Sequence, residues 1–172
     1  DPDEIRTAYR EQAQILAEAG VDGFMVETMF DVEEALLAIQ AVQAVCDLPI
    51  VASVTFSTPA KGGRTIMGNS AAECVKRLSE AGACVVGTNC GDIDIQDLAA
   101  IIANMHEAVA TPIILQANAG KPELVDLVTS YNMPPAEYAA NIAECVKAGA
   151  QILGGCCGTT PEHIAALKEL VK

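Results

Sequence analysis

A motif of eleven residues occurs three times along the chain, at residues 18–28, 80–90 and 147–157. The third residue of each copy is a glycine, which ends a helix because only glycine adopts the left-handed conformation at little cost. An apolar run follows, and each copy closes on a polar pair at the same register. Apolar runs without alternation are typical of strands buried on both faces of a parallel sheet. The repeat therefore predicts strands that follow helices and end in polar residues.

Two further apolar segments, residues 49–56 and 112–118, begin with prolines and are also predicted to be strands. Asp31, Ser70 and Thr160 stand at the N-cap positions of three predicted helices, and Ser70 opens a capping box. Alternating strands and helices indicate parallel pairing with right-handed crossovers. The helical patterns lie at residues 5–19, 32–45, 70–81, 95–108, 135–148 and 161–171.

These elements favour a single domain over residues 1–172, with an α/β fold built on five parallel strands. A doubly wound open sheet is disfavoured because a helix precedes the first strand and no glycine-rich phosphate-binding sequence follows it. An eight-stranded (β/α)8 TIM barrel needs about 250 residues, whereas this chain has 172. The pattern is therefore that of the later part of a TIM barrel, with about five βα units.

Three cysteines lie where predicted strands end: Cys90 in one repeat, and the adjacent Cys156 and Cys157 in another. In parallel α/β folds functional groups gather at the carboxyl ends of strands, so the three sulfurs converge if these two ends are close. Neighbouring strand residues face opposite sides, but the glycines around the pair let the backbone turn. Three thiolates are the ligand set of a zinc site with a fourth position open to substrate. The alternatives are small buried cysteines and a vicinal disulfide in a redox protein.

A zinc site of this kind favours sulfur chemistry. Zinc deprotonates a substrate thiol near neutral pH, and the thiolate is the nucleophilic form. The natural partner of such a thiolate is an electrophilic carbon, for example an activated methyl group. Hydrolytic zinc sites more often combine histidine with carboxylate ligands.

Several other polar residues allow more than one interpretation. Glu27 is either a partner for a substrate ammonium group or a solvated carboxylate, and Asn118 is either a turn former or a donor to a substrate carboxylate. The loop at residues 57–64 carries Lys61 and Arg64 and is interpreted as a solvated loop or a mobile lid. The residues interpreted as packing or surface positions within helices or strands, and not as ligands, are His106, His163, Cys46, Cys74, Cys84 and Cys145.

The composition argues against several classes of function. A net charge of −13 leaves no basic patch for nucleic acid and disfavours an anionic membrane surface. No apolar stretch approaches the ~18 residues of a membrane span, and the acidic start of the chain is unlike a signal peptide. The seven cysteines are odd in number and lie in long apolar segments, which favours reduced thiols. We therefore expect a cytoplasmic protein.

Two segments resemble the zinc-binding motifs of a known family. Residues 87–90 read Gly-Thr-Asn-Cys, and residues 154–164 read Gly-Gly-Cys-Cys-Gly-Thr-Thr-Pro-Glu-His-Ile. Both resemble the homocysteine S-methyltransferase domain, which occurs in cobalamin-dependent methionine synthase and betaine–homocysteine methyltransferase. The similarity spans essentially the whole chain. The intervening blocks of the family resemble, in the same order, residues 20–28, 63–68 and 118–120.

The resemblance implies a zinc-containing (β/α)8 barrel in which the three cysteines bind Zn²⁺ and the homocysteine sulfur becomes the fourth ligand. It places Glu27 at the substrate amino group, with Ser53 and Asn118 near the amino-acid part of the substrate. The two cysteine-bearing strands would be the sixth and eighth, alternate strands whose inward residues share a layer. The implied reaction is zinc-dependent methyl transfer to homocysteine, forming methionine. The implied donor is a methyl-corrinoid carried by a corrinoid protein or domain.

The chain departs from the family by omission, since about three N-terminal strands of the barrel are missing from it. A five-stranded arc exposes two unpaired edges and part of its core. We expect that surface to be covered by the rest of a longer polypeptide or by homo-oligomerisation. The alternative function is a non-catalytic zinc-binding or assembly fragment.

Overall fold

A computed structural model describes residues 1–91 and 93–171, and its centre is a parallel five-stranded sheet. The strands of the described residues are β1 Phe24–Met29, β2 Ile50–Val54, β3 Val85–Asn89, β4 Ile113–Ala117, β5 Glu123–Val125, β6 Val128–Ser130 and β7 Ile152–Gly155. The order of strands in the parallel sheet is β1-β2-β3-β4-β7. The α-helices are α1 Pro2–Glu18, α2 Val32–Gln43, α3 Ala71–Glu80, α4 Leu98–Ala108, α5 Pro135–Lys147 and α6 Pro161–Leu167. Each predicted strand and helix is present, and the sheet is that of a partial TIM barrel.

The two faces of the sheet differ in how they are covered. Val26, Ala52 and Val86 are buried in one core together with helix residues. Met25 and Ile152 lie on the opposite face and are 41% and 39% exposed. Apolar side chains on both faces are expected of a strand in a TIM barrel, whose interior is filled by side chains. The helices thus cover one face of the arc, and the opposite face is exposed at Met25 and Ile152.

The predicted helix signals are confirmed. Asp31 Oδ1 accepts a hydrogen bond from the N–H of Glu33 at 2.9 Å, and Ser70 and Glu73 form the expected capping box at the start of α3. The glycine that ends the helix in each repeat has a positive φ of 86°, 101° or 116° in chain order. No helix among residues 1–91 and 93–171 is both long and apolar enough to cross a membrane.

The antiparallel hairpin of β5 and β6 was not predicted. Its two-residue turn, Asp126 and Leu127, has positive φ at both positions, which is the geometry of a type I′ turn. That turn is usually signalled by Asn-Gly or Asp-Gly, whereas the turn residues here are Asp-Leu. Leu124 and Leu127 are 70% and 89% exposed, so no burial pattern marks the strands either.

Candidate metal centre

Three cysteine sulfurs from two strand ends meet at the carboxyl edge of the sheet. Cys157 Sγ lies 3.8 Å from Cys90 Sγ and 3.9 Å from Cys156 Sγ, and all three atoms lie within 4.8 Å of one another. A zinc ion with Zn–S bonds of about 2.3 Å in tetrahedral geometry needs sulfurs about 3.8 Å apart. The cluster therefore fits zinc. Among the described residues, no other group of three metal-ligating side chains comes together in this way.

The order of the strands explains why the sulfurs meet. Strands β3 and β7 flank β4, which confirms the expected relation of alternate strands. The N–H of Cys90 donates to the Gln116 carbonyl at 3.1 Å, and the N–H of Cys156 donates to the Ala117 carbonyl at 2.9 Å. Cys90 has a φ of 57°, so the chain turns out of the strand at that residue. The end of β4 thus holds both cysteine-bearing segments.

Two glycines are required beside the cysteine pair. A Cβ at Gly155 would collide with the side chain of Thr159, and a Cβ at Gly158 would collide with the ring of Tyr131. Gly158 also has a φ of 79°, which favours glycine. These contacts give the physical reason for the glycine-rich sequence around the pair.

Asn118 bridges the two cysteine-bearing segments. Its Nδ2 donates to the Gly91 carbonyl at 3.2 Å, and its Oδ1 accepts from the N–H of Cys157 at 3.2 Å. Gly91 follows Cys90 directly, so one side chain fixes the distance between the two sources of sulfur. The structure therefore places Asn118 beside the cysteine cluster, where it supports the backbone of both cysteine-bearing segments.

The other two predicted substrate residues lie on neighbouring strands. Glu27 is exposed near the end of β1. Ser53 is fully buried in β2, and its hydroxyl donates to Asn89 Oδ1. The next residue of β1, Thr28, has a φ of 60°, the same left-handed conformation as Cys90 at the equivalent position of its repeat. Repeated sequence is here accompanied by repeated backbone geometry.

One thiol of the cluster, that of Cys156, is held in its protonated form by its surroundings. Burial raises the pKa of the Cys156 thiol to about 11; a hydrogen bond from Asn89 opposes the rise, and the charges of Cys90 and Cys157 add to it. Desolvation and a hydrogen bond to Cys157 raise the pKa of the Tyr131 hydroxyl. A metal ion that binds to Cys156 must therefore displace its proton.

The loop at residues 57–64, interpreted as a solvated loop or a mobile lid, is held by contacts with residues outside it. Arg64 Nη1 donates to the Gly68 carbonyl at 3.0 Å, and Gly63 packs against Ile101 of α4. Lys61 is exposed within a short 3₁₀ turn. The segment is thus a solvated loop that is anchored to α4.

Neither histidine belongs to the metal-ligating group found among the described residues, and His163 is buried on α6. His163 Nδ1 accepts a hydrogen bond from the N–H of Thr160 at 3.1 Å, and His163 Nε2 donates to the Met133 carbonyl at 2.9 Å. It therefore caps α6 and ties it to the segment before α5. His106 is exposed on α4.

The four remaining cysteines lie apart from the cluster. Cys74 and Cys145 are buried in helices, as predicted. The predicted location within a helix or strand was wrong for Cys46, which follows α2 in a loop, and for Cys84, which directly precedes β3. All seven cysteines are free, so no vicinal disulfide joins the adjacent pair.

Sequence reasoning missed two tyrosines at the site. Tyr131 packs on Gly158 beside Cys157. Tyr138 is fully buried, and its hydroxyl lies 3.0 Å from the carbonyls of both Ala117 and Gly154, at the ends of β4 and β7. The only sequence signal for either residue is that aromatic residues are rare in this chain, at 3% of the composition.

The raised pKa of Cys156 predicts how zinc binding depends on pH. The thiol stays protonated well above neutral pH in the metal-free protein, so zinc competes with a proton for this sulfur. The apparent zinc affinity is expected to rise about tenfold per pH unit for each displaced proton between pH ~6 and ~8. Competition with a chromophoric chelator at several pH values measures the slope, and calorimetry in buffers of different ionisation enthalpy counts the protons.

Cys84→Ser is the control for this measurement. Cys84 lies at the opposite end of β3 from Cys90, and its Sγ contacts the Ile50 carbonyl at 3.3 Å, a contact that a serine hydroxyl can also make. The variant is expected to keep the slope and the proton count. A zinc affinity that does not change with pH in either protein would contradict the prediction.

Known proteins were compared with the chain in sequence and in structure. The sequence profile of the homocysteine S-methyltransferase family matches residues 1–171. The homocysteine methyltransferase MmuM from Escherichia coli is similar in its apo form, with a TM-score of 0.77 and 22% identity over 99% of this chain and 57% of that chain. Its metallated form gives 0.77 and 23%, over 98% of this chain and 52% of that chain. A phosphonopyruvate hydrolase in complex with oxalate and Mg²⁺ gives 0.63 and 17%, over 93% of this chain and 60% of that chain.

These similarities differ in what they show. The structural matches fall below 25% identity, and they support the fold: α/β, with the strand arrangement of a partial TIM barrel. The chain spans little more than half the length of the MmuM structures that it matches. The sequence profile covers nearly the whole chain and confirms the resemblance expected from the cysteine motifs. The chain therefore belongs to the homocysteine S-methyltransferase family.

Proposed function

We propose that this chain binds Zn²⁺ through Cys90, Cys156 and Cys157 and holds homocysteine for methylation of its sulfur, which yields methionine. The observation that carries the proposal is the cluster of three sulfurs, in which Cys157 lies 3.8 and 3.9 Å from the other two, close to the spacing of tetrahedral zinc ligands. Cys157 is exposed, so a fourth sulfur has access from solvent. Membership of the homocysteine S-methyltransferase family supports the choice of reaction.

The chemistry needs a deprotonated substrate sulfur and a shielded methyl group. Zn²⁺, when bound, would lower the pKa of the homocysteine thiol so that the thiolate is present near neutral pH. The thiol proton passes to solvent, the sulfur electron pair forms the new S–CH3 bond, and the donor leaves with the electron pair of its broken bond. Cys90 opens onto a cavity of about 220 Å³ that Phe30, Phe56 and Tyr131 also line. These aromatic side chains give the cavity beside Cys90 a largely apolar wall.

The amino-acid part of homocysteine is assigned to polar groups on the neighbouring strands. Glu27, exposed and negatively charged, is proposed to bind the ammonium group. Asn118 Nδ2 has two N–H groups and donates one to Gly91, so the second is proposed to donate to the substrate carboxylate. Ser53 is fully buried, and its proposed part is indirect, through its hydrogen bond to Asn89.

The proposed donor is a methyl-corrinoid held by a corrinoid protein or domain. Strands β5 and β6 lead into Tyr131, so this hairpin stands beside the site. It exposes the apolar side chains of Leu124, Leu127 and Val128. An apolar surface next to the reacting sulfur supports docking of a large, partly apolar donor. Incubation of the zinc-loaded protein and homocysteine with methylcobalamin, and separately with a small sulfonium donor, identifies the donor by the methionine formed.

Calorimetric titration of the protein with homocysteine tests the proposed function. The zinc-loaded protein is expected to bind about one homocysteine per chain, because the open ligand position takes one sulfur. The zinc-free protein is expected to bind none. Homoserine, which carries oxygen in place of sulfur, is the matched control ligand and is expected to give no heat.

The other functions predict different outcomes, one in the same titration and the other in a count of thiols. A non-catalytic zinc-binding or assembly fragment would take up zinc and give no heat with homocysteine. A vicinal-dithiol redox protein would show two thiols fewer after oxidation than after reduction, and no requirement for zinc. Either result would overturn the proposed function.

A further inference from the structure

Both the oxygen and the nitrogen of the Asn89 side-chain amide contact polar groups on neighbouring strands. The residue ends β3, directly before Cys90, and is 1% exposed. Its Oδ1 accepts from the N–H of Thr28 at 2.8 Å and from the hydroxyl of Ser53. Its Nδ2 lies 2.7 Å from Thr28 Oγ1 and 3.9 Å from Cys156 Sγ. One side chain thus joins the ends of β1, β2 and β3 to a sulfur of the cluster.

The orientation of this amide is fixed by its partners. The backbone N–H of Thr28 can only donate, so the atom 2.8 Å from it must be the amide oxygen. The opposite assignment would turn two donors toward each other. The NH2 group therefore faces Cys156 Sγ, and an N–H donor is directed at that sulfur.

The backbone of Thr28 supports this arrangement. Thr28 has a φ of 60°, a conformation that is unusual for a β-branched residue. Such a conformation persists only where the surroundings hold it. Both the N–H and the hydroxyl of Thr28 bind the amide of Asn89, so the unusual backbone serves to present two groups to one side chain.

We propose that Asn89 is a positioning residue of the metal centre, whose amide, oriented by Thr28 and Ser53, donates a hydrogen bond to the Cys156 thiolate. The inference rests on the proposed zinc site. Three thiolates around one divalent cation carry a net charge of about −1, and a fourth thiolate adds another negative charge. An N–H donor stabilises that charge and withdraws electron density from the sulfur.

Cobalt(II) substitution makes this contact visible. Cobalt(II) bound to thiolates absorbs in the near ultraviolet through charge transfer from sulfur to metal, and the energy of the band falls as the sulfur becomes more electron-rich. Asn89→Asp keeps an acceptor for Thr28 and Ser53 but loses the donor to Cys156. The variant is expected to shift the band to longer wavelength and to weaken zinc binding on the order of tenfold.

Asn104→Asp is the matched control. Asn104 is exposed on α4 and donates to the Ala100 carbonyl at 2.7 Å, so its replacement adds the same charge at a distance from the sulfurs. It is expected to leave the cobalt spectrum and the zinc affinity unchanged. An unchanged spectrum and affinity in a folded Asn89→Asp variant would overturn the inference while leaving the zinc site in place. Failure of the unsubstituted protein to bind zinc would instead overturn the proposed function.

A second measurement needs no variant and does not depend on added charge. In protein loaded with an NMR-active cadmium isotope, a hydrogen bond to a ligating sulfur transmits scalar coupling between the donor proton and the metal. We expect such coupling between an Asn89 Nδ2 proton and cadmium. Assigned Asn89 signals without coupling would overturn the inference, whatever the variant shows.

Discussion

Replacement of Cys90 by alanine is expected to abolish zinc binding and to leave the protein folded. Cys90 supplies the single sulfur from β3, and without it only the adjacent pair from the β7 end remains at the site. Two thiolates cannot complete a three-sulfur site, because structural and catalytic zinc sites use at least three protein ligands. Metal analysis is expected to fall from about one zinc per chain to a trace. Methyl transfer to homocysteine is expected to be lost with the metal.

The control for this prediction lies at the other end of the same strand. Cys84→Ser removes a thiol that precedes β3 and belongs to no cluster among the described residues. That variant is expected to keep zinc, and both variants are expected to unfold at nearly the same temperature as the unsubstituted protein. A Cys90→Ala protein that retains its zinc would show that the metal is held elsewhere.

The repeated motif predicted the framework of the site because it places polar residues at the same position at the end of each strand. Three strands that end in equivalent polar pairs must bring those pairs to one edge of a parallel sheet, and the equivalent residues Thr28 and Cys90 share even their left-handed backbone. The convergence of Cys90 with Cys156 and Cys157 then follows from the strand order. The physical basis of this success is that strand direction and side-chain alternation are properties of short segments.

The supporting contacts of the site could not be predicted from one sequence. The amide of Asn89 meets Thr28, Ser53 and Cys156 only because four strand ends are set side by side at particular heights. Asn118 was likewise predicted to be a turn former or a donor to a substrate carboxylate, and its contacts with Gly91 and Cys157 join segments that are far apart in the chain. Hydrogen-bond networks of this kind form only when the relative positions of the groups are correct to within about an ångström, and the local sequence pattern does not determine those positions.

Glu27→Gln is expected to weaken homocysteine binding by roughly 30- to 150-fold while the zinc content stays the same. The substitution keeps the size of the side chain and removes its charge. A charge-assisted hydrogen bond to the substrate ammonium is worth about 2–3 kcal/mol, and its loss corresponds to that range. The variant is measured by calorimetric titration of the zinc-loaded protein. Glu11→Gln, which neutralises an exposed carboxylate on α1, is the matched control and is expected to bind homocysteine normally.

The analogue of homocysteine that lacks the amino group decides whether Glu27 acts through the ammonium. It still offers its sulfur to zinc, so it is expected to bind the unsubstituted protein more weakly than homocysteine does. Because the analogue has no ammonium, Glu27→Gln is expected to leave its affinity unchanged. Equal losses for homocysteine and the analogue would mean that Glu27 supports the fold or the metal, and equal affinities of the variant and the unsubstituted protein for homocysteine would leave Glu27 a solvated carboxylate. A loss confined to homocysteine is the result that the exposed position of Glu27, one residue before the anchored Thr28, leads us to expect.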